Sequence, residues 1–134
     1  MKALLIVTAA AETATGLSLA AIPSLVVSLL LRGSLDTPAA LIVGRMTGVA
    51  LISLGVACWL ARNDTANRAA RGLVGTLLFY NAAAVAVLTY AGASLQLHGI
   101  ALWPTVFYHV AMAGWCISHL GLWSTSGARA RLFE

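Results

Sequence analysis

The chain has 134 residues, of which 60% are apolar and 9% carry charge. Because soluble domains carry about 25% charged residues, this composition excludes a water-soluble globule and predicts one membrane-embedded domain over residues 1–134. The net charge of +4 does not indicate nucleic-acid binding, since most of the basic residues lie at span ends, where membrane topology requires them.

Four apolar segments are each long enough to cross a bilayer. They cover residues 3–22, 39–61, 69–91 and 99–123, and they predict an all-α fold, a bundle of four transmembrane helices. Pro23 is expected to end or kink the first helix because it lacks an N–H donor. Residues 24–31 are too short to cross and are expected to lie along the interface as a short helix, or to extend the first span past the kink. Pro38 is expected to start the second span. Glu12 interrupts the first apolar segment, which favours a retained span over a secretory signal.

The basic residues are distributed unevenly between the two sides of this predicted topology. One side carries Lys2, Arg62, Arg68, Arg71, Arg129 and Arg131, whereas the other side carries Arg32. The excess of Lys and Arg on cytoplasmic loops therefore predicts that both termini are cytoplasmic in a bacterial inner membrane. Tryptophans support these boundaries, with Trp59 and Trp123 expected near the inner interface and Trp103 near the outer one.

Small residues are frequent on the predicted helix faces that touch. The second span contains Gly44, Gly48 and Gly55, the third contains Gly72 and Gly75, and the fourth contains Gly114 and Gly121. Small residues allow helix backbones to approach closely in a membrane, so these positions predict contacts between helices of one chain in preference to a dimer interface.

Each span also carries a strongly polar residue at a depth from which the bilayer should exclude it. These residues are Glu12, Arg45, Asn81 with its neighbour Tyr80, and His109. A charged side chain at mid-membrane costs about 2.5–3.5 kcal/mol, so the group is expected to face the bundle interior. The least costly arrangement pairs Glu12 with Arg45 through a charge-assisted hydrogen bond. Tyr80, Asn81 or water could also lie between them.

Helical spacing extends this cluster along two helix faces. Thr8, Glu12 and Thr15 share a stripe on the first span. Thr105, His109, Met112 and Cys116 share one on the fourth, with His119 further round. Two interpretations remain open: a buried ion pair that sets helix register, or a site for a ligand, a proton or an ion.

The histidines and cysteines limit the cofactors that the chain could hold. His109 and His119 lie about 80° apart around one helix, so they cannot be opposed ligands of one haem. His109 alone could hold a haem, a chlorin or a quinone oxygen, but a hydrogen bond to Glu12 or Asn81 is favoured. Cys58 and Cys116 lie in apolar stretches without metal-ligand spacing and are predicted to be buried free thiols. No catalytic motif is found.

The second and third spans carry a resemblance to a known family. Arg45 within GRMTGVALISLGVACWLAR, the following ARGLVGTLLFYNAAAVAVL and a last span with a central histidine resemble DoxX-like small bacterial membrane proteins. This resemblance implies a four-helix bundle in the inner membrane and an association with redox or quinone-linked membrane complexes. It transfers no catalytic residue to this chain.

Three functions are compatible with these patterns. The favoured one is a non-catalytic accessory or scaffold subunit that contacts membrane lipids and joins a larger membrane complex or a homodimer, or that binds a lipid or quinone-like ligand. The second is a proton-coupled carrier of a small hydrophobic cation, in which Glu12 looks like the membrane carboxylate of small multidrug transporters. The third is a membrane oxidoreductase with a cofactor near His109.

Overall fold

The computed structural model describes residues 1–121 and is all-α in that range. Its helices are α1 (Lys2–Ala21), α2 (Pro23–Leu31), α3 (Pro38–Ala61), α4 (Arg68–Ala93) and α5 (Leu102–Leu120). The four long helices match the four predicted segments to within three residues at every end. The predicted positions of Trp123, Arg129 and Arg131, and the last two residues of the predicted fourth span, lie outside the described residues.

The first helix breaks where proline predicted it. Ile22 leaves the helical region, with φ −133° and ψ 58°, and Pro23 then takes the first position of α2. Proline is tolerated there because an N–H at a helix start has no intrahelical acceptor. The predicted interfacial segment is therefore a separate nine-residue helix. It ends at Arg32, which adopts a left-handed conformation with φ 55°.

The starts of α3 and α4 are set by capping side chains. The Thr37 hydroxyl accepts a hydrogen bond from the backbone N–H of Ala40 at 3.1 Å, immediately before Pro38. The Asn67 side chain accepts one from the N–H of Ala69 at 2.9 Å. Each cap satisfies a backbone donor that the first turn leaves without a partner. The chain between α3 and α4 is short, so the two helices run in opposite directions.

Three of the described helices, α1, α3 and α4, are long and apolar enough to cross a membrane. This composition supports a membrane protein with several spans. Helix α5 coincides with most of the predicted fourth segment, but it is not among the three. It carries Pro104, Tyr108, His109 and His119 within 19 residues, and these lower its apolar character.

The long helices share one hydrophobic core at the end of the bundle where α1 begins. Its buried residues come from all four long helices, namely Leu4, Leu5, Ala9, Cys58, Val74, Leu77, Met112 and Cys116. Ala61 and Leu120 pack against the same cluster. The start of α1 therefore lies beside the ends of α3 and α5, so that α1 is antiparallel to both.

Glycines bring α1 and α3 into backbone contact. A Cβ atom on Gly16 would lie 2.6 Å from the Gly48 carbonyl oxygen, and one on Gly48 would lie 2.6 Å from the Ala20 nitrogen. At Gly55 an added Cβ would overlap Thr13 of α1. The prediction of close contacts within the chain is confirmed for Gly44, which faces Pro23, and for Gly48 and Gly55. It is wrong for the other four predicted glycines, which have no atom within 4 Å of an added Cβ among the described residues, namely Gly72, Gly75, Gly114 and Gly121.

Helix α2 lies against the segment that leads into α5. The Ala101 backbone N–H donates a hydrogen bond to the Leu29 carbonyl oxygen at 2.9 Å. A Cβ on Gly99 would overlap the backbone of Leu29 and Leu30. The short helix is thus held at the end of the bundle opposite the hydrophobic core, where it forms one wall of a cavity.

Candidate functional site

A cavity of about 560 Å³ lies between α1, α2, α4 and α5. Most of its wall is apolar, and its polar groups come from α1, α4 and α5. The lining residues are Ala11, Glu12, Ala14, Thr15, Ser18, Val26, Leu29, Leu30, Tyr80, Ala101, Pro104, Thr105, Tyr108 and His109. Three of the five residues in the predicted polar cluster therefore border one cavity: Glu12, Tyr80 and His109.

Glu12 is buried, with 4% of its surface exposed. The Tyr80 hydroxyl of α4 donates a hydrogen bond to Glu12 Oε2 at 3.1 Å. One carboxylate oxygen is thereby engaged across the bundle, and the carboxylate retains further acceptor capacity. The contact is the cross-helix link that places the α1 carboxylate beside α4.

His109 and Asn81 form a second buried pair, between α5 and α4. His109 Nδ1 lies 2.8 Å from Asn81 Oδ1, while Asn81 Nδ2 donates to the Leu77 carbonyl oxygen at 2.7 Å. Asn81 is 2% exposed and His109 is 7% exposed. The predicted hydrogen bond from His109 to one of two residues is confirmed for Asn81. Satisfied polar pairs of this kind are well suited to fix the packing of two helices.

Two tyrosine rings contact the His109 ring edge to face. The Tyr80 centroid lies 5.6 Å from that of His109 at 83°, and the Tyr108 centroid lies 5.3 Å away at 71°. The Tyr108 hydroxyl is buried and has no hydrogen-bond partner among the described residues. His109 is therefore held by aromatic packing as well as by Asn81, and it borders the cavity from a fixed position.

The expected pair of Glu12 and Arg45 is not formed, because the two residues lie at different depths. Gly55 packs against Ala9 and Thr13 of α1, so the level of Glu12 on α3 is near residue 55. Arg45 lies ten residues away, which is about 15 Å along a helix axis. Its side chain is exposed on α3. The prediction that four polar groups share one depth is therefore wrong for Arg45.

The secondary residues of the two predicted stripes fall into four environments. Thr15 and Thr105 border the cavity, while Met112 and Cys116 belong to the hydrophobic core. Thr8 is 1% exposed, and its hydroxyl has no partner among the described residues. His119 lies at the far end of α5, with Nε2 3.0 Å from the Met1 nitrogen. Cys58 and Cys116 are buried free thiols, as predicted.

Several cavity residues were not singled out by the sequence patterns. Tyr108 precedes His109, and its aromatic ring next to a buried histidine was the available signal. Ser18 lies one turn beyond Thr15 on α1 and could have been placed by extending that stripe. Val26, Leu29 and Leu30 of α2 carry no signal of their own, because an apolar residue in an apolar helix gives no indication of what it faces.

The chemistry of this site is that of binding by shape and hydrogen bonds. Its polar wall contains a carboxylate, an imidazole and phenol groups, while the remaining surface suits an apolar molecule. Within residues 1–121, no group of three or more His, Cys, Asp or Glu side chains is placed to hold a metal ion. His109 is the cavity residue that could contact a cofactor through a ring nitrogen.

No protein-family model, curated protein or solved structure matches the chain. The class of protein is therefore defined by the structure of residues 1–121. It is an all-α protein with three helices that could span a membrane and with a cavity bordered by a buried carboxylate.

Proposed function

We propose that this chain is a non-catalytic, multi-pass membrane protein that holds a lipophilic ligand, a lipid or a quinone-like molecule, between its helices. The observation that carries the proposal is the cavity of about 560 Å³, whose largely apolar wall has Glu12, Tyr80 and His109 on one side. Pockets for small molecules combine an apolar lining with a few convergent polar groups. Helical bundles build such pockets from side chains on facing helices.

The membrane topology is part of the same proposal. Helix α5 crosses the membrane as the fourth span, paired with the apolar α4. Lys2, Arg62, Arg68 and Arg71 lie at one end of the bundle and Arg32 lies at the other, which supports a cytoplasmic N-terminus. In this orientation the cavity opens in the half of the bilayer away from the cytoplasm, in a bacterial inner membrane. The C-terminus is proposed to be cytoplasmic as well.

The role within the cell is proposed from the likeness to DoxX-like proteins. A small membrane bundle that presents a lipophilic ligand suits an accessory subunit of a larger redox or energy-converting complex. Side chains such as Phe79 and Phe107, which are 75% and 70% exposed, give α4 and α5 an apolar outer surface for lipid or for a partner helix. A homodimer would use the same kind of surface.

The test is a native mass spectrum of the protein extracted in mild detergent, compared with two variants. Ala11→Phe places a phenyl ring at the cavity wall, whereas Ala57→Phe adds the same ring at an exposed position on α3 that does not border it. We expect a small lipophilic mass on the wild type and on Ala57→Phe, and its loss from Ala11→Phe. A bare chain in all three preparations would contradict the proposal. A coloured cofactor lost only from Ala11→Phe would favour the oxidoreductase hypothesis, with His109 beside that cofactor.

A proton-coupled carrier is the second candidate, and one observation favours it. Glu12 is buried beside the cavity and accepts a hydrogen bond from a neutral tyrosine, with Arg45 too distant to neutralise it. In proteoliposomes with an imposed proton gradient, we expect a carrier to take up a lipophilic cation and Glu12→Gln to abolish the uptake. The control is Asp64→Asn, which removes an exposed carboxylate from the loop after α3. Uptake that survives in Glu12→Gln would exclude this candidate.

A further inference from the structure

The hydrogen-bond donors in the cavity wall are largely used within the protein. The Ser18 hydroxyl donates to the Ala14 carbonyl oxygen at 2.9 Å, and the Thr105 hydroxyl donates to the Ala101 carbonyl oxygen at 2.8 Å. The Tyr80 hydroxyl donates to Glu12. Each of these hydroxyl groups has one proton to donate, so each keeps only acceptor capacity towards the cavity.

The His109 ring also uses its donor within the protein, because Asn81 determines which ring nitrogen carries the proton. Asn81 Nδ2 must be the amide nitrogen, since it faces the Leu77 carbonyl oxygen, an acceptor. The Asn81 atom that faces His109 Nδ1 is therefore the carbonyl oxygen Oδ1, which requires a proton on Nδ1. In the neutral ring, Nε2 is then an acceptor.

The polar wall consequently presents acceptors to a ligand. They are the remaining capacity of the Glu12 carboxylate, His109 Nε2 and the oxygens of Ser18, Tyr80 and Thr105. Of the other polar residues in the lining, Thr15 and Tyr108 each have a hydroxyl that can donate or accept. Among residues 1–121, neither Lys nor Arg borders the cavity. A cationic ligand would therefore be the counter-ion of an ionised Glu12.

We propose that the cavity selects apolar molecules whose polar end donates hydrogen bonds, above all a protonated amine, over molecules whose polar end can only accept. This inference rests on the proposed ligand-binding function. A donor-bearing ligand satisfies the acceptors of the wall. An acceptor-only group, such as a quinone carbonyl, could accept only from the Thr15 and Tyr108 hydroxyls, and it would leave the other acceptors of the wall facing it without a proton between them. A protonated amine also supplies the positive charge that a buried carboxylate requires.

The first experiment uses two pairs of probes with matched tails, in which one member has hydrogen-bond donors and the other carries methyl groups in their place. Dodecylamine and dodecyltrimethylammonium are both cations with the same tail, and only the amine has N–H groups. Nonylphenol and nonylanisole form the neutral pair. Binding is measured by native mass spectrometry in nanodiscs of zwitterionic lipid, with protein-free nanodiscs to subtract partitioning. We expect at least about tenfold tighter binding of the donor in each pair, which corresponds to one charge-assisted or well-formed hydrogen bond.

Equal affinities within either pair would overturn the donor preference while leaving the cavity as a lipophilic site. Two other outcomes would contradict both the proposed ligand-binding function and the donor preference. In the first no probe binds, and in the second binding is unchanged in Ala11→Phe. Tighter binding of the phenol than of the amine would show that a hydroxyl group, as in a quinol, is the natural donor and would overturn the preference for an amine.

The second experiment weakens the preference for donor-bearing ligands by replacing acceptor groups in the cavity wall. Glu12→Gln removes the charge and adds N–H donors at the same position. We expect dodecylamine binding to weaken about tenfold and nonylanisole binding to be unchanged or tighter. Thr105→Val, a milder change that removes one acceptor, should weaken dodecylamine binding about threefold, and it serves if Glu12→Gln does not fold. An unchanged ratio between amine and trimethylammonium in both variants would overturn the proposal.

Discussion

The two faces of α1 meet their neighbours in opposite ways. Towards α3, Gly16 approaches Gly48 so closely that neither position has room for a Cβ atom. Towards α4 and α5, Glu12 and Thr15 border a cavity, and Glu12 accepts a hydrogen bond from the Tyr80 hydroxyl. One helix thus has a rigid face without polar side-chain links and a polar face that leaves space for another molecule.

The difference shows how a small membrane protein can divide stability and binding between the faces of one helix. Without a hydrophobic drive between helices in lipid, close backbone packing is the main source of attraction between α1 and α3. On the cavity side, the hydrogen bond from Tyr80 to Glu12 links α4 to α1, and the pair of Asn81 and His109 links α4 to α5. Substitutions on the two faces should therefore differ in size and kind.

The largest effect is expected at the glycine contact. Gly48→Ala places a Cβ 2.5 Å from the Gly16 carbonyl oxygen, so the helices must separate. We expect a loss of about 2–3 kcal/mol in the free energy of unfolding, typical of overpacking. The control is Gly114→Ala, where no atom of residues 1–121 lies within 4 Å of the added Cβ, and the change should stabilise α5 by about 0.5–1 kcal/mol. Reversible unfolding in mixed micelles, followed by circular dichroism, measures both, and equal effects would refute the close approach.

A smaller loss is expected when the buried amide is removed. Asn81→Leu leaves the Nδ1–H of His109 without its acceptor, at a cost of about 1–2 kcal/mol. Replacing both residues, as in Asn81→Leu with His109→Phe, removes the unpaired donor together with its partner. The double variant should therefore lose less stability than the sum of the two single changes. Additive losses in the same unfolding assay would show that the two side chains are not coupled.

The two tyrosines of the cavity form a matched pair for the next test. Tyr80→Phe removes a hydrogen bond to Glu12 and should cost about 0.6 kcal/mol, the average for such bonds between membrane helices. Tyr108→Phe removes a buried hydroxyl that has no described partner. It should leave stability unchanged or raise it by about 1 kcal/mol. A larger loss for Tyr108→Phe than for Tyr80→Phe would mean that the Tyr108 hydroxyl has a partner, such as a bound ligand.

The smallest effect is expected at Arg45. Because its side chain is exposed and about ten residues from the level of Glu12 on α3, Arg45→Ala should lower the free energy of unfolding by no more than about 0.5 kcal/mol. A buried ion pair would behave differently, since removal of one partner costs about 3–5 kcal/mol. A loss in that range in the unfolding assay would restore the pairing with Glu12 that the structure rejects.

Much of the helix pattern could be predicted from local features of the sequence. The first helix ends just before Pro23 and α3 begins at Pro38, both as expected, and Asn63 and Asp64 fall in the loop after α3. These boundaries depend on apolar length and on residues that end or start helices, which act locally. The burial of Glu12 was also predictable, because a carboxylate in an apolar span is expected to avoid lipid.

The partner of Glu12 could not be predicted in the same way. Helical periodicity gives the face of a residue on its own helix, but it gives neither the rotation nor the axial shift of that helix against its neighbours. Gly44 faces Pro23, so the next residue, Arg45, points about 100° away from that contact. The close approach of Gly16 and Gly48 sets the axial shift and brings Gly55 to the level of Glu12.

The amino-acid sequence by itself determined that this is an all-α membrane protein with buried polar residues, because composition, apolar length and proline positions act within each helix. Only the tertiary structure decided that Tyr80 donates a hydrogen bond to Glu12 and that Asn81 is hydrogen-bonded to His109. It also decided that α2 forms one wall of a cavity beside them. The physical reason is that helix register is settled by contacts between segments far apart in the chain. The glycines allow the closest contact between helices, and the axial shift that this contact sets determines which polar groups lie side by side.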